Sequence, residues 1–151
     1  MNVPFKRLDV GTMTTGATLS GLSFGWGSGH VSEVFQMMAH TSITNPLLMS
    51  DETDKIGGHQ QVPIESVLLS LLEPENGQSF KDEAILLAID CSKTNFIARA
   101  NDINRLSEPL RSRFTIVEIQ APSRQESLAV IEDIYHKILS INSWDIDSIE
   151  S

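Results

Sequence analysis

The chain of 151 residues contains one cysteine, Cys91, so no disulfide can form within it. This suits a reducing compartment, and we expect a cytoplasmic location. No apolar run approaches the roughly 20 residues of a membrane-spanning helix, so we expect no membrane partner. Positive charge is also scarce, because 11 Lys and Arg stand against 20 Asp and Glu, for a net charge of -9. This balance argues against a nucleic-acid surface, which needs clustered basic residues.

Several motifs of known chemistry are missing as well. The histidines and Cys91 lack the spacing of metal ligands, and no Gly-x-Ser-x-Gly segment is present. No Gly-Lys-Ser or Gly-Lys-Thr occurs, although 11–18 has the glycine spacing of a phosphate-binding loop. Ala17 stands there in place of the lysine that contacts the phosphates. We therefore favour a plain Thr/Gly loop over a degenerate phosphate loop.

Short apolar segments alternate with amphipathic ones along the chain. The spacing predicts strands over 5–10, 47–50, 84–89, 96–100 and 115–119. It predicts helices over 28–40, 63–72 and 123–140, with a short helix that starts at 107. This alternation predicts an α/β fold in which helices flank a mostly parallel sheet.

The most informative segment is the apolar run 47–50, which ends in the adjacent carboxylates Asp51 and Glu52. Nucleotide hydrolases hold a metal ion and a water molecule in this way, at the carboxyl end of a buried strand. Asp51 would hold Mg²⁺, since one carboxylate often suffices for that ion, and Glu52 would orient the attacking water. The alternative is a strand that simply ends in solvated acids.

Three polar residues further along suit phosphate chemistry. Asn101 follows the strand at 96–100, where its amide can donate to a γ-phosphate or hold a water, although asparagine is also a common turn former. Arg113, and less strongly Arg111, lies at the end of the short helix that starts at 107. A guanidinium there can reach a phosphate on a neighbouring subunit, or it can form an ordinary ion pair.

Two aromatic residues lie between glycines in a predicted loop at 21–29. Phe24 and Trp26 on such a loop can grip a polypeptide. The alternative is that they pack into the core, because tryptophan is highly buried on average.

Four segments together resemble the AAA+ ATPase module of Lon-type ATP-dependent proteases. Family members typically read NPVFLLDEIDK, ALLEVLDPEQN, FIATAN and PLRDR, and the matching stretches here are 45–55, 67–77, 96–101 and 109–114. The similarity covers roughly residues 3–140, with Ser50 in place of an apolar residue. It implies a partial P-loop NTPase core without its phosphate loop (Walker A), over 1–121. The start of a small helical subdomain at 122–141 and a flexible tail at 142–151 would follow.

The resemblance implies a role for each candidate residue. Asp51 and Glu52 match the second nucleotide motif (Walker B), and Asn101 matches the sensor asparagine. Arg113 matches the arginine finger, and Arg111 is the weaker candidate.

The resemblance also implies partners and cofactors. Phe24 and Trp26 lie near the family's pore loop, which usually contains Tyr-Ile/Val-Gly and moves polypeptide substrates. ATP and Mg²⁺ would bind between subunits of a homo-oligomeric ring, a hexamer in this family. Without the phosphate loop, we expect the isolated chain to hold no nucleotide tightly and to be inactive.

Two other functions fit the same residues. The first is another AAA+ remodeller, such as a clamp loader, a helicase loader or a chelatase-type protein. The second is a non-catalytic module that docks on AAA+ partners through Arg113 and the helix at 63–72.

Overall fold

The computed structural model describes residues 3–40, 45–57 and 62–142, in two units that divide after Ile116. The domain boundaries at 121 and 141 stay predictions. The predicted tail lies, beyond Asn142, outside the described residues. No helix within the described ranges is long and apolar enough to cross a bilayer.

The described residues of the first unit form five strands and five short α-helices. The strands are β1 (Phe5–Asp9), β2 (Leu47–Asp51), β3 (Phe80–Asp82), β4 (Leu87–Ile89) and β5 (Asn95–Ala98). The helices are α1 (Ala17–Ser20), α2 (Glu33–Ala39), α3 (Ile64–Leu72), α4 (Pro74–Gly77) and α5 (Glu108–Ser112). Strands β1, β2 and β5 form a parallel sheet in that order, and β3 and β4 form an antiparallel hairpin. The predicted α/β class with a mostly parallel sheet is confirmed.

One face of the parallel sheet carries the core of this unit. Because side chains alternate along a strand, Leu8 and Leu48 point to the same face, where both are almost fully buried. They belong to one cluster with apolar residues of α2 and α3, such as Val34 and Ile64. Cys91 lies in the same cluster, and burial raises the pKa of its thiol to about 12.

The sequence and the structure differ over 84–89. The predicted single strand is a turn followed by the short β4, which pairs with β3 rather than with the main sheet. The carboxylate of Asp82 causes the turn, because it accepts hydrogen bonds from the backbone N–H groups of Ala84 and Ile85 at 2.8 and 3.2 Å. A local hydrogen bond of this kind competes with continued strand pairing.

The strand predicted over 115–119 is absent. Residues 115–119 have no regular structure, and Val117 and Ile119 are 78% and 89% exposed. A strand needs a hydrogen-bonding neighbour, and none of the described residues supplies one for this segment. In the parallel sheet β5 lies at the edge and β2 is central.

The second unit contains one long helix, α6 (Arg124–Asn142). A capping box starts this helix, since the Ser123 N–H donates to Glu126 at 2.8 Å and the Glu126 N–H donates to Ser123 Oγ at 3.3 Å. The apolar stripe that predicted the helix is exposed, with Leu128 and Ile131 at 57% and 61%.

Candidate functional site

The carboxyl ends of three parallel strands lie side by side and form the candidate site. Asp9 at the end of β1 is in register with Asp51 at the end of β2. On the other side, the Arg99 N–H donates to Ser50 O at 2.8 Å, and the Thr53 N–H donates to Arg99 O at 3.0 Å. Parallel sheets carry their ligand sites at this edge, because the loops that leave the strands converge there.

Asp51 is buried, with 2% of its surface exposed, and it is surrounded by donors. Its Oδ2 lies 2.5 Å from Nη2 of Arg7, and its Oδ1 lies 3.5 Å from Nη1 of Arg99. Oδ1 also accepts a hydrogen bond from the N–H of Glu52 at 3.0 Å. A carboxylate this deeply buried needs such partners, because an unpaired buried charge is very costly.

Glu52 has a left-handed backbone, with φ 54° and ψ 38°, which is uncommon for a residue other than glycine. Its side chain pairs with Lys55 at 2.6 Å, and this hydrogen bond raises the pKa of Lys55 although desolvation opposes it. The backbone of Gly11 passes so close that an added Cβ would lie 2.7 Å from Glu52 Oε2. The glycine therefore leaves room for the Glu52 side chain.

Hydrogen bonds fix the turn that carries these acids. Ser50 Oγ and Thr53 Oγ1 are 2.9 Å apart, and Thr53 Oγ1 also donates to Ser50 O at 3.1 Å. Both residues are buried. This explains how a serine is accommodated where the Lon-type pattern has an apolar residue, since its buried hydroxyl has a hydrogen-bond partner.

Asn101 lies next to the acidic turn, as the strand order requires. Its N–H donates to Oδ1 of the buried Asp54 at 3.3 Å, which joins the end of β5 to the segment after β2. The side-chain amide is exposed and makes no hydrogen bond within the described ranges. It is therefore available to an external acceptor at this edge of the sheet.

Arg111 in α5 and Arg113 at its C-terminal end do not contact the acids at the end of β2. Nη2 of Arg113 is 2.5 Å from Oε1 of Glu73, at the end of α3, and both side chains are about two-fifths exposed. Arg111 is half-buried and has no ion pair among the described residues. Neither guanidinium contacts Asp51 or Glu52 within this chain.

The loop with the two aromatics projects into solvent. Leu22 and His30 close its base with two backbone hydrogen bonds of 2.8 and 3.0 Å. Phe24 and Trp26 are 62% and 66% exposed, so the alternative of core packing is wrong for both. The spare surface of these rings is free to contact another molecule.

Neither the Thr/Gly segment nor the surface clefts supply a phosphate pocket. The N–H of Gly16 donates to Val62 O at 2.8 Å, and an added Cβ would meet the Val67 side chain at 3.0 Å. This glycine thus serves packing. Two clefts, of about 320 and 280 Å³, have linings that include neither Asp51 nor Asn101.

The geometry described above agrees with comparisons against known proteins. The family model for "ATPase family associated with various cellular activities (AAA)" matches residues 1–121. The chain belongs to the AAA family of ATPases.

The AAA chain is also similar to Lon protease homologues. It is 36% identical over 128 residues to the mitochondrial homologue of Mus musculus and 35% identical over 130 residues to that of Drosophila melanogaster. It is 29% identical over 133 residues to the peroxisomal "Lon protease homolog 2" of Caenorhabditis briggsae. These matches cover 85%, 86% and 88% of this chain but only 14%, 13% and 17% of the relatives. The resemblance to a Lon-type AAA+ module is confirmed.

Sequence reasoning about this AAA chain missed Arg7 and Arg99, the two partners of Asp51. Arg99 did carry a signal, because it interrupts an otherwise apolar strand and stands where the Lon-type FIATAN pattern has threonine. Arg7 carried none, since its role depends on the pairing of β1 with β2. The structure brings Asp51, Glu52 and Asn101 together, while their chemical roles stay predictions.

A magnesium ion that accompanies a nucleotide needs hard oxygen ligands, and one carboxylate often suffices. Asp51 supplies such an oxygen at the carboxyl edge of the sheet, where nucleotides bind. Its two carboxylate oxygens are paired with the guanidiniums of Arg7 and Arg99. In the described part of the chain, no group of three His, Cys, Asp or Glu side chains is arranged to hold a metal. Asp51 therefore fits the ion as a single ligand, provided that its arginine partners move.

Proposed function

We propose that this chain is the hydrolysis half of an ATP-driven, Lon-like machine that unfolds polypeptides. The observation that most supports this is the convergence of Asp51, Glu52 and Asn101 at one carboxyl edge in an AAA chain. Nucleotides bind at this edge of parallel α/β sheets. The relatives are named proteases, so coupling to proteolysis in the complete protein is part of the proposal.

Glu52 orients the water that attacks the γ-phosphate and accepts its proton. The ion pair with Lys55 and the hydrogen-bonded turn at Ser50–Thr53 restrict the movement of its side chain at the end of β2. Asn101 donates its exposed amide to the γ-phosphate or to the same water. Positioning of this kind supplies most of the catalysis of phosphoryl transfer, because the protein does little covalent chemistry.

Asp51 is the residue that would hold Mg²⁺. When bound, this ion neutralises negative charge on the phosphates and so eases phosphoryl transfer. The protein's own contribution is a buried carboxylate at the end of the central strand, fixed by the N–H of Glu52.

Arg113 acts on the nucleotide of a neighbouring subunit, with Arg111 as the weaker candidate. This proposal is supported by the partner of Arg113 within one chain, which is Glu73. Neither guanidinium contacts Asp51 or Glu52 of the same chain. A ring of identical subunits, a hexamer by family resemblance, would bring Arg113 to the next subunit's phosphate. Glu73 holds it until then.

Phe24 and Trp26 grip the polypeptide. Their exposure on a loop closed at its base supports this role, because rigid exposed aromatics supply contact area at low entropic cost. The relatives are named mitochondrial and peroxisomal, and the cytoplasmic location of this chain stays a prediction. The absence of nucleic-acid partners and the inactivity of the isolated chain stay predictions.

Replacing Glu52 with glutamine in the complete polypeptide that carries this chain tests the proposal. We expect ATP turnover to fall by about 100-fold or more, because a positioned general base contributes at least that factor. Binding of a fluorescent ATP analogue should remain within about threefold, since glutamine keeps the shape of the side chain.

Glu83→Gln is the matched control, because Glu83 is an exposed acid of the hairpin region that pairs with Lys81. Its ATP turnover should equal that of the wild type. A Glu52→Gln protein that keeps half of its turnover would contradict the role of Glu52. A wild type that hydrolyses no ATP would favour the docking-module alternative.

Replacing Trp26 with alanine separates polypeptide handling from hydrolysis. The substitution should change the free energy of unfolding by less than about 0.5 kcal/mol, because the side chain is 66% exposed. Degradation or unfolding of a model substrate by the complete protein should fall at least tenfold while basal ATP turnover persists. Trp144→Ala supplies a control for the loss of a tryptophan, and unchanged substrate processing by Trp26→Ala would refute the gripping role.

A further inference from the structure

Asp51 is held by two cations that no part of the proposed mechanism uses. Arg7 contacts Oδ2 at 2.5 Å and Arg99 contacts Oδ1 at 3.5 Å, so each carboxylate oxygen faces a guanidinium. The carboxylate is 2% exposed, whereas the side chains of Arg7 and Arg99 are 58% and 62% exposed. The acid is thus fixed within the fold, and the two cations reach it from the solvent side.

Sheet register explains why both arginines reach the same acid. Arg7 is paired with Met49 across β1 and β2, and Asp51 is two residues beyond Met49, so all three share one face. Arg99 comes one residue after Ala98, which pairs with Ser50, so it also lies on this face beside Asp51. The opposite face of the sheet carries the core, which leaves the guanidiniums room to move.

A second carboxylate beside Asp51 has an unfilled acceptor. Asp9 is the register partner of Asp51, and its Oδ1 is buried without a hydrogen-bond donor. The two arginines contact Asp51 and leave Asp9 Oδ1 without a donor, so the negative charge at this edge is only partly compensated.

Resting on the proposed function, we propose that Arg7 and Arg99 are a guanidinium lock on Asp51. A divalent cation and the lock are alternative partners of the same carboxylate, because both require its oxygens and they repel each other. The metal binds Asp51 only when the arginine side chains move away from the carboxylate into solvent. Arg99 is the part that distinguishes this chain from the Lon-type pattern, which has threonine at that position.

Divalent-cation binding to the chain without nucleotide tests the lock. Mn²⁺ binding, followed by the electron paramagnetic resonance of free Mn²⁺, should be at least tenfold tighter for Arg7→Met/Arg99→Thr than for the wild type. The reason is that two repelling charges are removed from within about 4 Å of the carboxylate. Mn²⁺ should also raise the melting temperature of the double variant more than that of the wild type.

Two controls localise the effect. Adding Asp51→Asn to the double variant should return Mn²⁺ affinity to the wild-type value. Lys81→Met/Lys93→Thr removes the same charge from exposed positions outside the Asp51 contacts and should bind Mn²⁺ as the wild type does.

The single variant Arg99→Thr keeps the shorter ion pair with Arg7 and should stay folded, with a gain in Mn²⁺ affinity of about threefold. Equal affinity of the wild type and the variants, including no measurable binding by any of them, overturns the lock. Tightening that survives Asp51→Asn overturns it as well. Because the readout is metal binding without ATP, a failure here is distinct from a failure of Glu52→Gln to lower ATP turnover.

Discussion

Replacing Asp82 with alanine is expected to lower the free energy of unfolding of the first unit by about 3–4 kcal/mol. The Asp82 side chain is fully buried and accepts hydrogen bonds from the N–H groups of Ser32, Ala84 and Ile85, at 2.8 to 3.2 Å. Its loss leaves these donors without partners, at about 1–3 kcal/mol for each buried one. Urea unfolding at neutral pH measures the difference.

Acid should weaken the same unit through Asp82. Burial alone would raise the pKa of this carboxyl, but the hydrogen bonds from Ser32 and from the turn outweigh it, and the pKa is lowered. A lowered folded-state pKa means that the contribution is complete above the unfolded value of about 3.9 and is lost as pH falls through the folded value. The wild type should therefore lose stability below about pH 4 more steeply than Asp82→Ala.

Asp90→Ala is the matched control for both measurements. The Asp90 carboxylate also accepts hydrogen bonds, from the N–H and hydroxyl of Ser92, but it is exposed. Water replaces those bonds when the side chain is removed, so the expected loss is much smaller than that of Asp82→Ala. Equal effects of the two substitutions would contradict the anchoring role of Asp82.

This anchor lies at the base of the aromatic loop. Asp82 binds the N–H of Ser32 just after the loop, and an added Cβ on Gly21 just before it would lie 2.8 Å from Asp82 Oδ1. The Glu83 N–H also donates to Ser20 O at 2.8 Å. Asp82 and its neighbour Glu83 therefore connect the hairpin to the residues on both sides of the aromatic loop.

Replacing Arg113 with alanine in the complete polypeptide should lower ATP turnover by about 1,000-fold. An arginine that stabilises the transition-state charge of phosphoryl transfer from a neighbouring subunit contributes 10³ or more. The substitution should leave the fold intact, because the Arg113 side chain is 43% exposed and its one ion pair, with Glu73, is at the surface. Steady-state turnover and a melting curve measure the two effects.

Mixing subunits shows whether Arg113 acts on its neighbour. An Arg113→Ala subunit retains Glu52, and a Glu52→Gln subunit retains Arg113, so a mixed ring contains interfaces with both groups intact. Mixtures should recover turnover well above either variant alone. Arg105→Ala, an exposed arginine without an ion pair in the described part of the chain, should behave as the wild type. A mixture that recovers nothing would refute action in trans.

Local sequence signals predicted the elements whose stabilising contacts are themselves local. Helix α5 begins where expected, because Ser107 caps it by accepting from the N–H of Leu110. The capping box at Ser123 likewise starts α6. Strand β2 was predicted from its apolar run and the acids that follow it. The two helix caps join residues at most four positions apart, and the burial of β2 follows from its run of apolar residues.

The failures share a different cause. Residues 115–119 have the composition of a strand. A strand forms only beside a hydrogen-bonding neighbour, and the local sequence pattern does not show whether such a neighbour is present. The turn at 84–86 depends on a single carboxylate at position 82, which outweighs the apolar pattern around it. Phe24 and Trp26 could have been core or surface, because composition alone does not determine which loop lies over the core.

The sequence by itself determined the α/β class, the position of Asp51 and Glu52 at a strand end, and the kinship with Lon-type AAA modules. These properties follow from periodicity and from motif order, which are linear features of a chain. Only the tertiary structure decided that Arg7 and Arg99 close on Asp51 and that Asp54 joins Asn101 to the acidic turn. Those contacts span more than 40 residues, and they exist because parallel pairing places separate strand ends side by side.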